Sequence, residues 1–161
     1  MRGSPLVWRA GPHEVEEVAR LLAAFRDHLG GERPSDQAML ESASVLIETP
    51  TTEYLLGALE DRTEPCGVAQ LRYRHSVWTS AEDCWLEDLF VEAPARGRGL
   101  GRALALASCE RAAERGALRI ELDTNEANTA AVALYESLGF SAASKAHGAA
   151  TGRDLFMGRP L

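Results

Sequence analysis

Apolar positions along the chain switch between helical and alternating spacing, and the switches mark out its elements. Leu6 to Arg9 reads as a short opening strand. From His13 to Leu29, Val15, Val18, Leu22, Phe25 and Leu29 recur at helical spacing, and Gly30-Gly31 ends the run. Ser35 can cap a second helix reaching about Leu46, closed by Thr49-Pro50. Glu53 to Glu60 is predicted as a strand, Asp61 to Pro65 as a polar turn, and Cys66 to Arg74 as the next strand. There Val68, Gln70, Arg72 and Arg74 alternate against Ala69, Leu71 and Tyr73, so the two strands form an antiparallel hairpin. Trp85 to Val91 is a strongly apolar strand that carries two acids, Glu87 and Asp88, and Pro94 stops it. Period-two geometry puts Glu87 and Leu89 on one side and Asp88 on the other. An Ala- and Leu-rich helix then runs from Gly99 to Arg115 and ends at Gly116. Leu118 to Asp123 is another strand; Asn128 caps a helix through Leu138, with Gly139 as its left-handed stop. Phe140 to about Lys145 and Asp154 to Met157 read as two closing strands.

This order implies a mixed α/β (α+β) fold. About seven strands, antiparallel at one end rather than doubly wound and parallel, are flanked by about four helices. With 161 residues, no repeat and no linker, a single domain spanning residues 1–161 is expected; Met1 to Ser4 are set aside from the fold. Cys66, Cys84 and Cys109 are odd in number and widely spaced, which signals neither a disulfide framework nor a zinc site. Reduced thiols fit a cytoplasmic home. The histidines His13, His28, His75 and His147 show no metal spacing, so no metal is expected. No apolar run is long enough to span a bilayer and no signal peptide is read, so no membrane partner is expected. A net charge of −7 argues against a nucleic-acid partner and mildly favours a cationic or neutral small substrate.

Against that acidic background, Arg96, Arg98 and Arg102 form a local basic cluster. In the stretch from Val91 to Arg102 a strand runs into a Gly- and Arg-rich turn, and the turn opens a helix. The first N–H groups of such a helix lack partners and carry the positive dipole end, while glycines let a phosphate approach closely. A dinucleotide fingerprint starting at Gly97 needs glycine at position 102, which is Arg102, and the GK[ST] ending of a P-loop is absent. A solvated loop ahead of a well-formed helix is the plain alternative.

Arg96-Gly97-Arg98-Gly99-Leu100-Gly101 resembles the (Gln/Arg)-x-x-Gly-x-(Gly/Ala) signature of the GNAT superfamily of N-acetyltransferases. Asn128 through Ala133-Leu134-Tyr135-Glu136-Ser137-Leu138-Gly139-Phe140 is similar to that family's Asn-capped helix ending in Leu-Tyr-x-x-x-Gly-Phe. The tight match covers about a third of the chain. The resemblance implies an acetyl-CoA co-substrate lying in a cleft between the strand ending at Val91 and the strand from Leu118. Its diphosphate would meet Arg96, Gly97, Arg98, Gly99, Leu100, Gly101 and Arg102. Its pantetheine arm would bond like an added strand to the backbone of Leu89, Phe90 and Val91, with the Leu89 N–H facing the thioester oxygen. Asn128 and Ala131 would add coenzyme contacts. The segment Leu86-Glu87-Asp88 resembles that of diamine acetyltransferases, which implies Glu87 as the base that deprotonates the amine, directly or through water. A substrate-binding or merely solvated edge charge is the other reading of Glu87. Tyr135 is implied as the acid for the departing thiolate; on spacing alone it could equally be packing.

The acceptor pocket is thinner in the sequence. Phe25, Arg26 and His28 near the end of the first helix are candidates, with Tyr73, Glu87 and Glu121, although His28 also reads as a surface residue. The expected reaction is direct transfer of acetyl to a primary amine in a ternary complex. A small-molecule amine is the expected acceptor, with a protein amine as the other option, and a homodimer is implied by resemblance. The alternatives are a non-catalytic acyl-CoA-binding sensor or scaffold, and a nucleotide-binding module.

Overall fold

The structure, a computed structural model, describes residues 4–62, 64–142 and 159–160. Five strands form one sheet: β1 (Pro5–Arg9), β2 (Thr52–Leu59), β3 (Gly67–Ser76), β4 (Ala81–Val91) and β5 (Arg119–Glu121), in that order. Pairing is antiparallel from β1 to β4 and parallel between β4 and β5. Four α-helices flank it: α1 (Val15–His28), α2 (Asp36–Ile47), α3 (Leu100–Glu114) and α4 (Thr129–Ser137). Local chemistry sets their ends. Ser35 Oγ accepts from the Ala38 N–H at 3.2 Å, and Asn128 Oδ1 from the Ala131 N–H at 3.2 Å. Gly116 and Gly139 follow α3 and α4 with φ of +91° and +90°, a conformation that favours glycine.

Alternation along the strands splits the apolar residues between two faces. Tyr54, Leu56, Val68 and Phe90 pack with Val18 and Leu21 of α1 and Ala43 of α2. Leu55, Ala69, Leu71, Tyr73 and Leu86 pack with Leu100 and Leu104 of α3. Helix α3 can lie close because Gly57 and Gly67, paired across β2 and β3, face it. A Cβ on either would stand 2.8 Å from a Leu100 or Leu104 methyl.

Two features of β4 depart from the sequence expectation. Asp88 lies opposite Gln70 but Leu86 lies opposite Leu71, which leaves Glu87 as the extra residue of a β-bulge. The bulge reverses the phase of the strand: Cys84 and Leu86 face α3, and so do Leu89 and Val91. Strict alternation placed Glu87 with Leu89 and opposite Asp88; with the bulge, Leu89 faces α3, while Asp88 lines the α1–α2 side and Glu87 bonds to Gln70 on that same side. The second feature concerns β5, which is three residues long rather than the run Leu118 to Asp123. It meets β4 only at Asp83, Cys84 and Trp85, so from Leu86 to Val91 that edge of β4 has no strand partner among the described residues. The unpaired stretch lies where the family resemblance implied a cleft. The expectation of about seven strands meets five among the described residues. Of the two closing strands, Phe140 to Ala142 are not in a strand, and 143–145 and 154–157 lie outside the described residues.

Candidate active site

Chain direction brings the end of β4 to the start of α3 through one 3-10 turn, Ala93–Ala95. Gly97 and Gly99 take φ of +72° and +87°, and nothing stands within 4 Å of a Cβ built on Gly97. Among the described residues, the N–H groups from Gly97 to Arg102 make no hydrogen bond; the first bonded amide of the helix is Ala103, to Gly99 O at 3.0 Å. This is an open set of donors at a helix N-terminus, and it fits a diphosphate. The arginines are engaged elsewhere. Arg96 Nε donates to Val91 O at 2.8 Å, Arg98 pairs with Asp61 at 2.8 Å, and Arg102 donates to Ser137 Oγ at 2.8 Å.

Beside this loop lies the β4 edge that no strand covers among the described residues; it carries Leu89, Phe90 and Val91, with the Val91 carbonyl taken by Arg96. Leu134 of α4 reaches within 3.9 Å of a Cβ built on Gly101, so α4 packs at the start of α3. The next residue, Tyr135, packs against the α3-side core, with its ring edge toward Phe140 at 5.7 Å. Burial pushes its phenol pKa up, which keeps the proton on at neutral pH. Asn128 caps α4 and holds the Ala131 N–H.

The other side of β4 opens on a cavity of about 350 Å³ between α1, α2 and the sheet. Phe25 lines it and stacks on Phe90 at 5.2 Å; Arg26 lines it too. Asp88, Gln70 and Tyr54 give the cavity its polar wall. Burial first, and then the charges of Glu87 and Asp123, push the Asp88 carboxyl up to about 6. Glu87 is exposed, and its Oε2 accepts from Gln70 Nε2 at 2.8 Å. The Tyr54 hydroxyl is buried without a hydrogen-bond partner among the described residues. Its pKa is raised by burial and by the negative charge of Asp88 and Glu87.

Four acceptor candidates lie off the cavity lining: Glu87, which bonds to the lining residue Gln70, and Tyr73, Glu121 and His28. Tyr73 belongs to the opposite face: it is packed in the α3-side core under the Arg115 guanidinium, 4.0 Å from its ring centre. Its place in the alternation with Ala69 and Leu71 accounts for this. Glu121 on β5 pairs with Arg119 at 2.8 Å. His28 tilts over Phe90 at 5.9 Å without lining the cavity. Of the polar wall, Tyr54 and Gln70 escaped the sequence reading, and Asp88 read there as a structural or supporting acid rather than a site residue. Tyr54 and Gln70 are polar positions in apolar strands, the signal that singled out Glu87. Cys84 faces α3, and burial pushes its thiol up to about 12, which does not suit a nucleophile.

Residues 16–140 match the acetyltransferase (GNAT) family. A mycothiol acetyltransferase of Thermobispora bispora is 55% identical over 51 residues, 32% of this chain. The chain spans 17%, 15% and 21% of the lengths of three such mycothiol relatives. The thialysine N-epsilon-acetyltransferase of Bos taurus is 26% identical over 142 residues, 82% of this chain and 83% of that protein. Among solved structures, an Arthrobacter sp. FB24 protein provisionally named an acetyltransferase superposes with a TM-score of 0.82 at 29% identity, covering 97% of this chain and 96% of that one. The aminoglycoside N-acetyltransferase AAC(6')-Iy, solved with CoA, shares the fold with a TM-score of 0.75 at 19% identity, over 98% and 95% of the two chains. With most of its length matched and its phosphate-type loop and Asn-capped helix in the family's order, the chain belongs to the acetyltransferase (GNAT) family.

Proposed function

We propose that the protein is an acetyl-CoA-dependent N-acetyltransferase that acetylates a primary amine by direct attack in a ternary complex. One observation carries the reading: β4 offers a free backbone edge beside open helix amides and, at the same bulge, turns two carboxylates toward the side that holds a cavity. The amides of Gly97 to Arg102 would hold the coenzyme's diphosphate, with Asn128 and Ala131 nearby on α4. The backbone of Leu89, Phe90 and Val91 would hold its pantetheine arm. Bound there, acetyl-CoA supplies an activated acyl group.

The chain's own groups handle the protons. Asp88, ionised above about pH 6, and Glu87 beside it form the basic pair that takes the ammonium proton. The Leu89 N–H polarises the acyl carbonyl. As the new N–C bond forms and the C–S bond breaks, Tyr135 donates its phenolic proton to the sulfur. The free cysteines support a cytoplasmic home, and the names of the mycothiol and thialysine relatives support a small-molecule amine. A homodimer rests on family resemblance.

Thiol release from acetyl-CoA across a panel of amines tests the reading. Turnover with at least one amine is expected, with kcat lowered about 100-fold in Tyr135→Phe and in the Glu87→Gln, Asp88→Asn double variant. Tight CoA binding with no turnover of any amine would make the protein a binding module instead.

A further inference from the structure

The cavity beside Asp88 has a charge layout that discriminates among amines. Its polar wall is Asp88, Gln70 and the Tyr54 hydroxyl; the rest is largely apolar, built from side chains such as Leu22, Phe25 and Leu46. Two cations also line it, Arg26 and Arg33. Arg26 is held by Asp27 at 2.7 Å, by Asp36 at 2.8 Å and by Pro34 O at 2.6 Å, whereas Arg33 has no ion pair or hydrogen bond among the described residues. Tyr54 is 1% exposed and its hydroxyl has no hydrogen-bond partner among the described residues, so a polar group brought beside it would satisfy it. The volume, about 350 Å³, lies at the small end of the range for ligand sites, about 300–1,000 Å³.

We infer that the acceptor is a primary amine on an apolar body with no second positive charge, such as an arylalkylamine, its nitrogen at Asp88 and Tyr54 and its apolar part between α1 and α2. This rests on the acetyl-transfer reading and adds the substrate class to it. An apolar wall rewards burial of carbon and penalises an unpaired second ammonium. The arginines add like-charge repulsion against a polyamine or an aminoglycoside. One ammonium is matched by Asp88; no second acid is among the described residues that line the cavity, Glu87 lying off the lining and bonded to Gln70.

The test compares kcat/KM for 2-phenylethylamine, ethylamine, spermidine and tobramycin at saturating acetyl-CoA. The aromatic amine is expected to exceed spermidine and tobramycin at least about tenfold. Arg33→Glu should narrow the gap to spermidine about fivefold or more. Ala43→Leu, which fills part of the cavity, should lower kcat/KM for 2-phenylethylamine more than for ethylamine, a split that a general loss of fold would not produce. Preference for spermidine or tobramycin, or ratios unmoved by both substitutions, would overturn the inference and leave acetyl transfer standing. If no amine turns over, acetyl transfer itself fails. Calorimetric titration of CoA-loaded protein then decides the cavity's ligand class: tighter binding of 2-phenylethylamine than of spermidine supports it, and the reverse order ends it.

Discussion

Asp88 carries opposite consequences for stability and for chemistry. Its carboxyl is raised from 3.8 to about 6, chiefly by burial, so folding disfavours its charged form. Between those two values the folded chain keeps a proton that the unfolded chain has lost. Stability therefore falls as pH rises through that window and stays lowered above it. Asp88→Asn removes the penalty, and urea melts at pH 7.5 are expected to show a gain of about 2 kcal/mol that vanishes near pH 4. The same variant should lose the acid limb near pH 6 in the kcat/KM profile, together with much of the activity. A stabilised but slower enzyme is the signature of a group kept for function rather than for the fold.

At the level of elements, the β4 bulge sits where the strand's edge loses its partner beyond Trp85, and it resets which side chains face the cavity. Deleting Glu87 restores regular pairing, since Leu86 and Asp88 already sit opposite Leu71 and Gln70. The deletion is expected to keep far-UV circular dichroism and cooperative melting while weakening CoA binding at least about tenfold by calorimetry. Glu87→Ala, which keeps the extra residue, should bind CoA like the parent. Element order, caps and stops were legible beforehand because their causes are local: Ser35 and Asn128 bond within their own first turns, and Gly116 and Gly139 turn left-handed just past theirs. The Gly97 to Arg102 loop was legible for the same reason. The bulge was not, because a one-residue slip shows only against the neighbouring strand. The length of β5 depends on how far it runs beside β4, which its own residues do not encode. Tyr54 and Gln70 line a cavity only because helices from elsewhere in the chain close over them.

Across the whole molecule, one buried carboxylate fastens the layers. Glu53 on β2, 2% exposed, receives Arg111 of α3 through two hydrogen bonds of 2.8 and 2.9 Å, with Arg115 at 3.5 Å and Arg9 of β1 at 3.6 Å. Burial alone would raise its pKa; the three guanidinium groups more than reverse that and hold it below the usual carboxylate range. Its contribution is present above the unfolded carboxylate pKa and is lost as pH falls through the depressed value. Glu53→Gln is expected to cost about 3 kcal/mol in chemical denaturation at pH 7, by leaving the arginines half-buried without their counter-charge. The clamp ties the far end of α3 to the sheet and so holds steady the helix whose other end presents the open amides.

At that other end the arginines already have partners. A coenzyme that recruits Arg98 has to displace Asp61, and one that recruits Arg102 has to draw it from Ser137. What each side chain adds to affinity is the difference between two attractions, whereas the backbone amides surrender nothing but water. Grip on a bound diphosphate would thus be vested in the main chain, with the conspicuous positive charges of this loop as exchangeable reserves.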